Sequence, residues 1–186
     1  MTSKYLLAIN TVSGECAVAL SRHNLILATK RIIADRGHSE MLVPLIETTL
    51  KESKISIDEL AGFLVCIGPG NYTSLRVAIA TARGLSLACK KPACGVSLFE
   101  LLSTNGPKVL VSIKGPAEKI YAQNFSNGNQ VNPPRLMTMN EIEKEAIDLR
   151  FSLHKVREIC SNNAKHPKLK EAQNEFSALA DYIGCL

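Results

Sequence analysis

Gly68-Pro69-Gly70-Asn71-Tyr72-Thr73-Ser74 is the segment whose residue types come nearest to a ligand loop. It lies between an apolar run, Gly62 to Ile67, and a stretch suited to one long helix. At such a joint, free backbone N–H groups and the positive helix end can hold a phosphate or another anion. Two glycines permit close approach to the backbone, and Thr73 is placed to cap the helix. The loop has neither the lysine and spacing of a Walker A loop nor a Gly-x-Gly-x-x-Gly pattern, so a tight turn without a ligand stays open as the alternative. Asn10-Thr11, at the end of the first apolar run, is a second candidate, because a hairpin tipped with small polar residues can wrap nucleotide phosphates. A phosphate-transferring enzyme needs a carboxylate at this point to hold Mg²⁺, and here the residue is an asparagine. A plain hairpin turn is the alternative.

The remaining constellations argue against chemistry. His38-Ser39-Glu40 opens a helix, but a hydrolytic zinc helix needs a second histidine four residues on, and position 42 is Leu. No Gly-x-Ser-x-Gly elbow occurs and no cysteine has a histidine beside it, so no catalytic or metal-binding residue is assigned. The helix from Ser74 to Lys90 carries Ala80, Gly84 and Ala88 on one stripe and Ala78, Ala82 and Ser86 on another. Small residues at this spacing let a second helix approach closely. One face must pack on the chain's own sheet; the other is available to a partner helix.

The elements that position these residues follow from periodicity. Tyr5 to Thr11, an apolar run closing on two small polar residues, read as a strand buried on both faces, and Cys16 to Ser21 and Leu25 to Arg31 complete a three-stranded meander. Met41, Leu42, Leu45, Ile46 and Leu50 recur at helical spacing behind Ser39 as N-cap, with Pro44 bending the helix or marking a 3₁₀-like first turn. A buried strand, the long helix, a strand at Pro92 to Val96 and a short helix from Ser97 to Leu102 follow. This order predicts a mixed α/β lobe. After Gly106 a smaller, more polar set begins, with strands at Val109 to Ile113 and Lys119 to Phe125, loops at Gln130 to Pro134 and Asn162 to Pro167, and helices at Asn140 to Ile147 and Leu169 to Ile183.

Composition bounds the rest. A chain of 186 residues, 46% apolar and 21% charged, describes one compact domain or two small lobes, neither disordered nor collagen-like. The six cysteines include no Cys-x-x-Cys pair and read as buried small hydrophobes of a reducing compartment. No apolar run approaches the roughly 20 residues of a membrane helix, and a cytoplasmic protein is expected. A net charge of +5 permits an acidic partner or RNA without requiring either.

Three segments in order, Leu7-Ala8-Ile9-Asn10-Thr11, His38-Ser39-Glu40-Met41-Leu42-Val43-Pro44 and Gly68-Pro69-Gly70-Asn71-Tyr72-Thr73-Ser74-Leu75-Arg76, resemble the bacterial TsaB family, also called YeaZ. The Gly-Pro-Gly-x-aromatic-Thr-x-x-Arg run is the most specific of them, and the likeness covers roughly residues 4 to 103. The resemblance implies an actin-like, Hsp70-like ATPase (ASKHA, ribonuclease H-like) α/β fold of two lobes. The first is expected over residues 1–106, completed by the helix at 169–184, and a reduced second over 107–168. It further implies a non-catalytic scaffold subunit in the synthesis of N6-threonylcarbamoyladenosine at position 37 of tRNA. In that family the protein pairs with the paralogous TsaD threonylcarbamoyltransferase, with the TsaE ATPase joining them and tRNA reached through the complex, and it forms a homodimer when alone. The family contact uses two helices, here residues 39 to 53 and 74 to 90. The interface residues expected are therefore Met41, Leu42, Leu45, Ala78, Ala80, Ala82, Gly84 and Ser86. A nucleotide loop of Asn10, Thr11, Gly68, Pro69, Gly70, Asn71 and Thr73 is the other expectation, with ATP or ADP held at the shared interface.

Two departures bear on mechanism. The family carries Asp where this chain has Asn10, and an Ile-Asp-Ala-Arg-like segment where it reads Ile113-Lys114-Gly115-Pro116. Losing both acids removes the Mg²⁺ anchors of an actin-like cleft and disfavours ATP hydrolysis by this chain alone; Lys114 would offset phosphate charge directly. The competing class is a stand-alone enzyme, either a glycoprotease-like metallopeptidase or a small-molecule kinase. The first needs a metal cluster and the second needs cleft carboxylates, and the sequence offers neither.

Overall fold

The computed structural model describes residues 5–12, 14–22, 25–34, 36–103 and 107–148. They fall into two compact units, one running to Ser97 and one starting at Leu98. Residues 104–106, where the sequence suggests a lobe boundary, and the helix and loop expected between 162 and 184 lie outside the described residues.

The first unit is a five-stranded sheet in the order β3-β2-β1-β4-β5. β1 (Tyr5–Asn10), β2 (Glu15–Arg22) and β3 (Leu25–Ile33) form the antiparallel meander. β4 (Leu60–Cys66) and β5 (Ala93–Val96) add on parallel to β1, each reached through a helix. This strand order agrees with the α/β sheet that the resemblance implies for the first lobe. β1 and β4 are central and buried on both faces, which is why each reads as an unbroken apolar run. Leu7, Ile9, Cys16, Val18, Leu20, Phe63 and Val65 make one face of the core. Against that face pack α1 (His38–Glu52), through Leu42, Leu45, Ile46 and Leu50, and α2 (Tyr72–Cys89), through Ala78 and Ala82. Each fully buried Leu contributes roughly 1.5–3 kcal/mol of transfer free energy.

Both helix starts differ from expectation. α1 begins at His38 behind Gly37, whose φ of 80° is left-handed and whose carbonyl accepts from the N–H groups of Glu40 (3.2 Å) and Met41 (3.1 Å). Ser39 is inside the helix, not its cap, and its hydroxyl donates to the Glu40 carboxylate at 2.9 Å. Helical structure continues through Pro44. α2 is capped by Asn71, two residues before Thr73. At its far end Lys90 is left-handed (φ 52°), and the Ser86 hydroxyl donates to the Lys91 carbonyl at 2.6 Å.

The second unit contains α3 (Leu98–Leu102), β6 (Val109–Lys114), β7 (Ile120–Ser126), β8 (Asn129–Gln130), β9 (Arg135–Met137) and α4 (Met139–Asp148). β6 and β7 pair antiparallel, and β8 and β9 both pair with β7. Asn127 and Gly128, at φ 51° and 78°, make the tight turn from β7 to β8. Between β8 and β9, Pro133 and Pro134 break the edge because neither offers an N–H. The Asn132 side chain fills the gap, its Oδ1 accepting from the Asn124 N–H at 3.0 Å. Phe99, Val111 and Phe125 form one small core, and Ile120, Ala122 and Ile142 another.

Candidate functional site

β1 and β4 are parallel neighbours at the centre of the sheet, so the loops leaving their C-terminal ends meet. The two ligand-loop candidates are thereby brought together. The buried Thr11 hydroxyl donates to the Ser74 carbonyl at 2.8 Å. Asn10 turns its side chain back, accepting from the Val12 N–H at 3.1 Å. Val12 lies against Gly70 so closely that a Cβ there would collide with Val12 Cγ1 and stand 3.0 Å from its carbonyl. Gly68 has φ 90°, and a Cβ on it would stand 2.8 Å from Leu75 Cδ1; the Gly68–Pro69 bond is cis.

Asn71 settles the electrostatics of the helix start. Its Oδ1 accepts from the N–H groups of Thr73 (3.0 Å) and Ser74 (3.2 Å), its carbonyl accepts from the Leu75 N–H at 3.0 Å, and Ser74 donates its hydroxyl to the same carbonyl at 3.1 Å. Two donors of the helix start, the Thr73 and Ser74 N–H groups, thus serve the chain itself, and an anion must displace the Asn71 side chain to reach them. Thr73 is capped, not capping. Neither Asn10–Val12 nor Ile67–Leu75 contains a carboxylate to anchor a metal ion. Burial pushes the Cys66 thiol, just before the loop, up to about 11, against the effect of a hydrogen bond to the Gly68 backbone, so it stays a protonated core residue.

His38 is buried at the start of α1, and its Nε2 has no hydrogen-bond partner among the described residues. The neighbouring Cys16 thiol points at the His38 carbonyl, 3.8 Å away. Burial raises the pKa of Glu15, with Arg31 working against it, and raises that of Cys16, with Glu15 adding to it. Among the described residues no three His, Cys, Asp or Glu side chains gather as a metal site. Lys114 ends β6 as an exposed residue.

The helix faces sort the interface candidates. Ala78 and Ala82 are 0% exposed and Leu42 and Leu45 are in the core, so these four hold the helices to their own sheet. Met41 packs at the core's edge, and Ser86 closes the end of α2. Ala80 and Gly84 are on the open side, and nothing lies within 4 Å of a Cβ placed on Gly84. Around them stand residues the small-residue pattern missed. Tyr72 is 72% exposed with the Arg76 guanidinium 5.2 Å from its ring centroid, Leu87 is 80% exposed, and Val43 on α1 is 44% exposed. The missed signal was the helical spacing of Tyr72, Arg76, Ala80, Arg83 and Leu87, which follow one another at four, four, three and four residues along α2.

Residues 30–165, which take in both helices and the Gly68–Ser74 loop, match the family model described as TsaD, tRNA N6-adenosine threonylcarbamoyltransferase. The chain belongs to this family, in its TsaB (YeaZ) branch. It is 25% identical over 159 residues to the tRNA threonylcarbamoyladenosine biosynthesis protein TsaB of Buchnera aphidicola subsp. Schizaphis graminum, covering 80% of this chain and 75% of that protein. It is 33% identical over 111 residues to the tRNA N6-adenosine threonylcarbamoyltransferase of Trichlorobacter lovleyi, which is 51% of this chain and only 32% of the enzyme. The chain therefore spans about a third of that relative's length. The solved structure of YeaZ from Pseudomonas aeruginosa shares the fold, with a TM-score of 0.63 at 23% identity over 72% of this chain and 67% of that one. Among the described residues no helix is long and apolar enough to cross a membrane.

Proposed function

We propose that this chain is a non-catalytic, cytoplasmic scaffold subunit in tRNA N6-threonylcarbamoyladenosine synthesis, which pairs with a TsaD-like threonylcarbamoyltransferase and activates it. A TsaE-like ATPase and the tRNA join through the assembled complex. The observation that carries this reading is the open side of α2. Tyr72, Arg76, Ala80, Arg83 and Leu87 are exposed along one 18-residue helix whose other side is held in the core. The relatives named for this pathway support the process, and the self-satisfied helix start at Asn71 supports a subunit that does not handle phosphate itself.

Sizing the chain with and without the TsaD-like protein tests the reading. A heterodimer is expected, and Ala80→Arg should abolish both the heterodimer and modification by the reconstituted set. A bulky charge in a close helix contact costs several kcal/mol through overpacking and desolvation, on the order of 1–3 kcal/mol from overpacking alone. Failure of the wild-type chain to pair refutes it.

A further inference from the structure

The open sides of α1 and α2 carry opposite charge in matching rows. α2 has no acidic residue anywhere from Tyr72 to Cys89, and its exposed cations are Arg76 and Arg83, seven residues apart. α1 exposes Glu40 and Glu47, also seven residues apart, with Val43 exposed between them as Ala80 is between the arginines. Seven residues are two helical turns, so each pair spans about 10.5 Å along its axis on one face. None of the four is in an ion pair with another described residue. The other charges of these helices are Lys51 and Glu52 at the end of α1, where Glu52 is held by Lys30 at 2.6 Å; Arg36 precedes α1 and Lys90 follows α2. The Arg76 guanidinium lies over the Tyr72 ring and Ser39 donates its hydroxyl to Glu40, so one member of each row has a neutral neighbour on its own helix.

We propose that this face selects its partner by charge: the partner helix packed on α2 presents carboxylates two turns apart to Arg76 and Arg83, and the one packed on α1 presents cations to Glu40 and Glu47. This rests on the assignment of α1 and α2 to the TsaD-like contact. Charge pairs at the rim of a small-residue contact fix register and partner choice more than raw affinity. An apolar seam of alanine, glycine and valine has little of its own with which to set register.

The test compares binding of the TsaD-like protein by the wild-type chain, by Arg76→Glu/Arg83→Glu and by Glu40→Lys/Glu47→Lys, at low and high salt. All four positions are exposed, and circular dichroism with thermal melting verifies the fold of each variant. Each double variant is expected to bind about tenfold or more weakly at low salt, with a smaller salt dependence than wild type. If wild type binds and both variants bind within about twofold of it, the charge rule is wrong while the heterodimer stands. If wild type does not bind, the assignment of the face is itself refuted. A wild-type chain that pairs through these charges only with a second copy of itself overturns the choice of partner.

Discussion

The Thr11 hydroxyl donates to the Ser74 carbonyl at 2.8 Å, tying the end of the central strand β1 to the first turn of α2 across 63 positions of sequence. The bond is buried, so its loss leaves a polar group out of reach of water. Thr11→Val keeps the shape and removes the donor. It should lower stability by about 1–2 kcal/mol, read as a lower urea midpoint with an unchanged slope.

Gly70 and Val12 form the second clasp of that joint. Gly70→Ala should destabilise by about 1–3 kcal/mol, because the new methyl meets a β-branched side chain that cannot swing away. Val12→Ala in the same chain should recover part of the loss. Additive losses in the double-mutant cycle would show that the contact is not the cause.

Asn71 is the cap of α2, and Asn71→Ala should cost about 1 kcal/mol. Asn71→Asp keeps both acceptor bonds and adds a negative charge at the positive helix end, so it should match or exceed wild type in a thermal melt. If alanine and aspartate behave alike, the side chain is not acting as a cap.

Ala80 and Ala82 are two positions apart and should respond oppositely to enlargement. Ala82→Arg places a charged side chain at a position that is 0% exposed and should leave little folded protein. Ala80→Arg, on the open side, should melt within a few degrees of wild type while losing its partner.

These contrasts show where the sequence was legible. β1, β4 and α2 could be read directly because burial on both faces, or an 18-residue run free of proline, leaves one consistent pattern. The two small-residue stripes of α2 could not be ranked, because alanine fits a tight core seat and an open contact face equally well. Only the sheet decides that Ala78 and Ala82 face inward. The cap at Asn71 was hidden among three residues able to accept from a helix start, Asn71, Thr73 and Ser74, and loop geometry chose the first of them. β9 escaped notice because two prolines and an asparagine side chain stand where backbone pairing would otherwise continue, although Asn127-Gly128 signals the turn into β8 plainly.

The start of α4 gives a pH prediction. Glu141 accepts from the Thr138 N–H at 2.7 Å and from its hydroxyl at 2.8 Å, and these bonds hold its carboxyl below 4.5, first through the backbone and then through the side chain. A carboxylate with a depressed folded-state pKa contributes stability that is fully present above 4.5 and fades as pH falls through the lower folded value. The protection of the Thr138 amide, its exchange rate compared with that of an unstructured peptide at the same pH, should therefore fall in that acid window in wild type. Glu141→Ala should show fast exchange already at neutral pH; equal protection in the two proteins would rule the cap out.

The two deepest seats of α2 have no rotamers to rearrange. Ala78 and Ala82 offer only methyl groups against the sheet, while the larger Val77, Ile79 and Leu85 pack around them at the edge of the core. Little side-chain entropy is frozen at those two seats when α2 docks, and an alanine seat sets how close the helix axis can come to the strands.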